Sequence, residues 1–199
     1  MVQLSTRRAA GAVLLVLSTV ACNQTPTPGL SRGEAVYDTC VPCHGADGAG
    51  DQALAAPAIA GLPQWYVQAQ LEKFEAGLRG YDAFDTTGIR MKSMSWSLDL
   101  EGDLESVAEY VASLVPTQPP VTVQGNAQAG EAVFQTCMAC HGPSGEGMEA
   151  LGSPPLVGQS DWYLLAQFGK FRNGMRGTDP ADLTGPTMRP HAPTTAQHA

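Results

Sequence analysis

GEAVYDTCVPCHGADGAG spans residues 33–50, and GEAVFQTCMACHGPSGEG spans residues 130–147. The two stretches open an ungapped repeat with a constant offset of 97, in which 24 of 48 positions are identical between 33–80 and 130–177. Self-similarity at a fixed offset indicates a duplicated structural unit. The 199 residues are therefore predicted to hold two small related domains rather than one larger domain.

Each copy contains the motif Cys-x-x-Cys-His. The residues are Cys40, Cys43 and His44 in the first copy, and Cys137, Cys140 and His141 in the second. Two thiols three positions apart can bond to the two vinyl groups of one porphyrin, and the adjacent histidine then supplies one axial ligand to the iron. The repeat thus predicts two covalently bound haem c groups.

Other uses of paired cysteines fit less well. A redox-active disulfide would be expected in a βαβ context, which this sequence does not show. A zinc site built from both cysteine pairs would leave the histidine after each pair unexplained. A structural disulfide within Cys-x-x-Cys is strained and rarely serves as a framework.

Methionines offer the second axial ligand. Met91 and Met188 each lie 47 residues after the motif histidine of their copy. Methionine more often packs in a core than binds a metal. The matched positions of Met91 and Met188 in the repeat are what favours a ligand role for these two. Met94 competes with Met91 in the first copy, and His191 is a weaker alternative to Met188 in the second.

Two other repeated features keep two interpretations each. Arg79 and Arg176 follow a predicted helix end, where each either pairs with a haem propionate or is a solvated surface residue. The Trp-Tyr pairs at 65–66 and 162–163 pack on a haem edge or in the core.

Composition excludes several classes of protein. The chain is 43% hydrophobic and 15% charged, with 22 Gly and 15 Pro, which is typical of a globular, loop-rich protein. The net charge of −8 argues against nucleic-acid binding, which needs a basic face. Domains this small usually need a covalent or metal staple, and haem would provide one.

The N-terminus is typical of an export signal over residues 1–21. Arg7 and Arg8 precede an apolar run that ends at Ala21. Without this segment, 9 basic and 19 acidic residues remain, a net charge of −10. Cys22 is then a candidate lipid-attachment site, although Thr19 stands where such signals carry Leu. The alternative is ordinary cleavage that leaves a free terminal thiol.

The remaining chain is divided by proline. A tether over residues 22–30 precedes the first domain, 31–115, and a proline-rich linker, 116–129, precedes the second, 130–199. No stretch alternates with period two for long enough to indicate a sheet, so the fold class is predicted as all-α with Gly/Pro-rich loops.

Helix signals are uneven within the first copy. A capping box at Ser31 and Glu34 predicts a short helix that runs into Cys40. A second helix is predicted over 64–76, and a last one over about 103–115 with Asp99 or Asp103 as its cap. Residues 81–97 show no clear period.

These motifs resemble the cytochrome c4 family, periplasmic dihaem proteins with two class I cytochrome c domains. The resemblance covers about residues 31–191 and includes the segment W-Y-x-x-A-Q-x-x-K-F-x-x-G-x-R-G in both copies. It implies that Met91, seven residues before Leu98, is the ligand in preference to Met94. It also implies that the carbonyl groups of Pro57 and Pro154 accept a hydrogen bond from the ligand histidines.

One departure from the family concerns the last helix. Its twin in the second copy would fall beyond Ala199. The second domain is therefore expected to lack its C-terminal helix, and the Met188–iron bond is expected to be labile unless a partner covers the gap.

The predicted function is electron transfer without catalysis, in the periplasm. Expected partners are redox proteins with basic docking patches, such as a terminal oxidase or a dehydrogenase. Nucleic acid is excluded, and contact with a membrane is expected only through Cys22. The alternatives are a haem subunit of a membrane-associated dehydrogenase or oxidase complex and, less favoured for want of an acid–base pair, a dihaem peroxidase.

Overall fold

The computed structural model describes residues 28–98 and 100–192, so the predicted export signal and Cys22 lie outside the described residues. The chain there is helical, and extended pairing in this part is limited to two isolated bridges. The first domain contains α1 (Leu30–Tyr37), α2 (Val41–His44), α3 (Gln64–Glu75), α4 (Thr86–Ser95) and α5 (Asp103–Ser113). The helical content agrees with the all-α prediction.

The second domain repeats part of this order. It contains α6 (Ala127–His141), α7 (Asp161–Arg172) and α8 (Gly185–Met188), with single 3₁₀ turns at Glu149–Leu151 and Arg189–His191. None of the helices in the described ranges is both long enough and apolar enough to cross a bilayer.

The crossing of α1 and α5 forms the core of the first domain. Gly33 lies at the crossing, where an added Cβ would be 2.1 Å from the carbonyl oxygen of Ser106. This close approach lets the Tyr37 and Tyr110 rings meet at 5.2 Å between centroids. Tyr37, Leu71, Val107 and Val111 make up the buried cluster. The C-terminal helix therefore holds the first domain closed.

Two predicted helix caps are wrong. The first helix begins after Gly29, so Ser31 lies inside the helix and its side chain caps nothing. The last helix begins after Gly102, which adopts a left-handed conformation at φ 86°. Asp103 is a first-turn residue whose carboxylate pairs with Arg32 on α1.

The sequence showed no helical period where α4 lies. Two threonines and a glycine weaken the helical signal at its start. The helix forms because the Asp85 carboxylate caps it, accepting a hydrogen bond from the Gly88 amide at 2.8 Å. This helix carries Met91, so the cap fixes a predicted site residue.

In the second domain one helix replaces two. The helix α6 runs without interruption from the linker to His141, whereas α1 and α2 are separated around Cys40. Pro42 stands near the start of α2, and Ala139 occupies the matching position in α6. Proline lacks the amide that a continuous helix needs, so the break belongs to the first copy alone.

The described part of the second domain has no counterpart of α5. Gly130 matches Gly33 in the repeat, but it is exposed and an added Cβ there would meet nothing within 4 Å. The packing difference between the two domains is thus visible at one pair of matched glycines.

The segment between the domains is tied to α7. Residues 115–126 form no helix. The Asp161 carboxylate accepts hydrogen bonds from the amides of Thr122 at 2.7 Å and Val123 at 2.8 Å. The Val123 amide and the Thr122 hydroxyl lower the pKa of Asp161 to about 2, so the anchor is ionised at neutral pH.

We expect Gly33→Ala and Gly130→Ala to differ in sign. The first adds a methyl group against the α5 backbone and should destabilise the first domain by about 1–3 kcal/mol or more. The second adds a better helix former at an open position and should be neutral or stabilising by about 0.5–1 kcal/mol. Thermal unfolding of the haem-loaded protein measures both, and a destabilising Gly130→Ala would show that a helix covers α6.

Candidate functional site

The thiols and histidine of the first motif lie on one short helix and at its N-cap. Cys40 precedes α2, and Cys43 and His44 lie within it. All three line a cavity of about 420 Å³ in the first domain. The four motif cysteines are free, and burial raises the pKa of the Cys40 and Cys137 thiols.

Both motif histidines are held by a proline carbonyl. His44 Nδ1 lies 2.9 Å from the Pro57 oxygen, and His141 Nδ1 lies 2.8 Å from the Pro154 oxygen. A carbonyl can only accept, so Nδ1 carries the proton and Nε2 keeps its lone pair. Burial lowers the pKa of His44, which favours the neutral ring. Each ring is thus prepared to donate Nε2 to a metal.

A glycine lets the proline loop close on each histidine. Gly50, at φ 80°, donates its amide to the His44 carbonyl at 2.9 Å. Gly147, at φ 85°, does the same for His141 at 2.7 Å. A Cβ on either glycine would lie 2.5 Å from the backbone of the proline loop. Glycine is required at both positions by conformation and by space.

Both candidate methionines of the first copy, Met91 and Met94, line the first cavity. Met91 packs against the core cluster, whereas Met94 is 39% exposed. The more enclosed sulfur is the better placed ligand.

Met188 lies in a much shorter helix than Met91. It is the last residue of the one-turn helix α8 and is half-buried. Pro190 lies in the 3₁₀ turn that follows, and His191 at the end of that turn is exposed. The second domain therefore supports its methionine with much less structure than the first.

The two domains meet through a paired polar network. Gln70 and Gln167 each accept hydrogen bonds from both Arg79 and Arg176, at 2.8–3.4 Å. Each guanidinium also lies over a phenylalanine ring of its own domain, at 4.2 and 4.5 Å. Because each residue matches its partner at the offset of 97, the contact has approximate twofold symmetry. We call this contact region the junction; it comprises Gln70, Lys73, Arg79, Gln167, Lys170 and Arg176.

The solvated interpretation of the two arginines is wrong. Arg79 is 5% exposed and Arg176 is 8% exposed. Packing of the two domains against each other buries them, which repeat analysis of one copy at a time does not reveal.

The junction carries an excess of positive charge. Lys73 pairs with Asp182 at 2.6 Å and Lys170 pairs with Asp85 at 2.7 Å, which leaves the two arginines without a carboxylate in these contacts. Burial lowers the pKa of Arg176, and Arg79 lowers it further. Burial alone would raise the pKa of Tyr163, but the two arginines bring it below its ordinary value.

The second domain also closes the first cavity. Gln159, Tyr163, Gln167 and Lys170 belong to the second domain and line the cavity that holds His44 and Met91. The first site is therefore completed by the other domain, a feature that the sequence did not predict. The signal was present in the repeat, where Gln70, Lys73 and Arg79 are all identical to their twins.

Comparison with known proteins identifies the family. The family model for cytochrome c matches residues 30–115 and 127–198, so this chain belongs to the cytochrome c family. The thiosulfate dehydrogenase electron acceptor of Stutzerimonas stutzeri (strain A1501) is 34% identical over 163 residues, covering 75% of this chain and 70% of that protein. Cytochrome c4 of Azotobacter vinelandii is 31% identical over 160 residues, with 75% of each chain covered.

A solved structure agrees with these relatives. Reduced recombinant cytochrome c4 from Pseudomonas stutzeri matches with a TM-score of 0.65 and 28% identity, covering 83% of this chain and 90% of that one. The chain is thus an electron-transfer protein with two cytochrome c domains and two covalent haem c groups, rather than an enzyme. The predictions of fold class, family and cofactor are confirmed.

The residues present fit haem. The first cavity has a mostly apolar lining that includes His44 and Met91, and its volume lies in the range of cofactor pockets. Arg176 Nε is buried without a partner among the described residues, which suits an acidic substituent such as a propionate. The excess positive charge of the junction would also favour binding of such an acidic substituent.

We expect Arg79→Gln and Arg176→Gln to lower a haem reduction potential. A nearby cation favours the reduced iron, which carries one positive charge less. Loss of about 1.4 kcal/mol of that interaction corresponds to about 60 mV for a one-electron couple. Potentiometric titration measures this, with Arg79→Lys as the control that keeps the charge. Unchanged potentials in both glutamine variants would contradict an electrostatic role.

Proposed function

We propose that this chain is an exported electron carrier that accepts electrons from a dehydrogenase and delivers them to an oxidase or another respiratory acceptor. The observation that carries the proposal is the duplicated set of motif cysteines, motif histidine and methionine, joined by a junction that completes the first site. When bound, haem supplies a one-electron couple. The protein sets the reduction potential of that couple and determines which partner proteins can approach it.

The proposal assigns four thiols to haem attachment. Cys40 and Cys43 would bind one haem, and Cys137 and Cys140 the other. Their spacing within one helical turn before the ligand histidine supports this role.

The axial positions are assigned to two histidines and two methionines. His44 and His141 would donate Nε2, because Nδ1 of each is held by the Pro57 or Pro154 carbonyl. Met91 and Met188 would supply the opposite sulfurs. Histidine–methionine ligation raises the reduction potential and leaves no open position for substrate, which supports a carrier rather than a peroxidase.

The charge of the chain supports the choice of partners. A net charge of −8 favours partners with a basic docking patch. One relative is named for accepting electrons from thiosulfate dehydrogenase, which makes a dehydrogenase of that kind the first donor to test. Retention at the membrane through a lipid on Cys22 belongs to the same proposal, as does a periplasmic location.

Loss of each methionine should remove one ligand set. We expect Met91→Ala and Met188→Ala each to lose about half of the methionine-to-iron charge-transfer band in the near-infrared spectrum of the oxidised protein. The remaining band in Met91→Ala, which reports the less supported Met188, should disappear at a lower temperature than that in Met188→Ala. Replacing Met94 with Ala is the control and should leave the band intact. Loss of the band in Met94→Ala would reassign the first ligand.

Electron transfer should depend on salt. With thiosulfate and a purified thiosulfate dehydrogenase, we expect the haems of this chain to be reduced, at a rate that falls as salt rises from about 0.01 to 0.15 M and the Debye length shortens from about 30 to 8 Å. Stopped-flow absorbance measures the rate. No reduction would reject this donor, and a salt-independent rate would reject electrostatic docking.

A further inference from the structure

We propose that the two junction lysines are positioning residues for the methionine of the opposite domain: Lys73 of the first domain holds the segment that carries Met188, and Lys170 of the second holds the helix that carries Met91. This inference rests on the proposed function, because it takes the two methionines as iron ligands. It makes axial ligation in each domain dependent on contact with the other.

Each lysine binds the same two groups across the junction. Lys73 Nζ lies 2.6 Å from Asp182 Oδ1 and 2.5 Å from Thr184 Oγ1. Lys170 Nζ lies 2.7 Å from Asp85 Oδ1 and 2.6 Å from Thr87 Oγ1. Both lysines project from matched positions on α3 and α7. Both contacts are largely enclosed, with the lysine side chains 14% and 15% exposed and the aspartates 1% and 5%.

The bound aspartates organise the segments that carry the methionines. Asp85 is the N-cap of α4 and accepts a hydrogen bond from the Gly88 amide at 2.8 Å. Asp182, two residues before the N-cap Thr184 of α8, accepts one from the first amide of that helix, Gly185, at 2.9 Å. A Cβ on either glycine would lie within 2.2 Å of the capping carboxylate, so the cap is closed tightly. Each methionine follows its capping aspartate by six residues. Lys170 therefore contacts the N-cap and first turn of α4, and Lys73 contacts the two residues that lead into α8, Asp182 and Thr184.

The lysine charge is needed to keep the buried carboxylate in place. Burial alone would raise the pKa of Asp182, but the hydrogen bonds from Lys73 and the Gly185 amide bring it below its ordinary value. A second oxygen of this carboxylate, Oδ2, is buried and has no hydrogen-bond partner in the described residues. Without Lys73 this carboxylate would be a buried, uncompensated charge, which is strongly unfavourable.

The two domains should not depend on their lysines equally. Met91 lies in a helix of ten residues and packs against the core cluster beside α5. Met188 ends a helix of four residues, and no counterpart of α5 lies over it in the part of the chain that the structure describes. Lys73 therefore stabilises the less supported methionine, and its loss should have the larger effect.

The test uses imidazole, which displaces a loosely held methionine from haem iron. Met91→Ala leaves only the Met188 band and Met188→Ala leaves only the Met91 band, so each background reports one haem. In the Met91→Ala background, we expect Lys73→Gln to raise the apparent affinity for imidazole about tenfold, as loss of one charged hydrogen bond would. In the Met188→Ala background, Lys73→Gln should change that affinity by less than about twofold.

Lys170→Gln is the matched control from the second domain. It should raise the imidazole affinity only of the haem that the Met91 band reports. The increase should be smaller than the one that Lys73→Gln causes at the haem that the Met188 band reports. Lys73→Arg should restore most of the Met188 band, because it keeps the charge. Asp182→Asn keeps a capping oxygen without the charge, so it should reproduce Lys73→Gln, and the double variant should be no worse than either single one.

Three results would overturn the proposal. The first is that Lys73→Gln raises the apparent imidazole affinity of both haems equally, which is what general loosening of the junction predicts. The second is that Lys73→Gln raises the imidazole affinity only of the haem in its own, first domain. The third is that it leaves the imidazole affinity of both haems unchanged. A wrong assignment of the methionine ligands gives a different result. In that case Met188→Ala or Met91→Ala, with both lysines unchanged, would leave the methionine-to-iron charge-transfer band at full intensity.

Discussion

The burial of positive charge between the two domains is the constraint on which the arrangement of this molecule depends. Two guanidinium groups and two ammonium groups meet there, and within residues 28–98 and 100–192 only Asp85 and Asp182 are in ion-pair contact with them. Removing such groups from water costs several kcal/mol each unless they are paired and hydrogen-bonded. The shared glutamines and the phenylalanine rings recover part of that cost. The buried Arg176 Nε has no hydrogen-bond partner among the described residues, so one donor of this cluster is still available to an acidic group.

Much of the fold could be predicted from the sequence because the informative signals are local. Cys-x-x-Cys-His with the histidine adjacent, and the offset of 97 between copies, are read directly and led to the all-α, dihaem prediction. The α4 helix was missed because its stability comes from a cap at Asp85 and from packing on α3, neither of which is a periodic signal. The capping box at Ser31 failed for a related reason: α1 begins where the α5 crossing needs it to begin, two residues earlier than the local pattern suggests.

The junction lay beyond sequence reasoning for another physical cause. Gln70, Lys73 and Arg79 look like ordinary polar positions on or just after a surface helix, and one copy alone gives no reason to bury them. Their burial requires the second copy, packed in a particular orientation. The clue was that these positions match their twins, whereas neighbours such as Glu72 and Glu75 do not. Identity between copies at polar positions of a helix indicates a shared contact better than it indicates a shared core.

An interface of matched residues also explains how the duplication could tolerate an uneven second copy. In a twofold contact, each residue acts once on its own domain and once on the partner, as in a homodimer. Lys73 and Lys170 are therefore constrained together. The break at Pro42, the continuous α6 and the open surface at Gly130 all lie outside the junction. The second domain keeps the residues that face the first, and across this contact Lys73 of the first domain binds Asp182 and Thr184, which lead into α8.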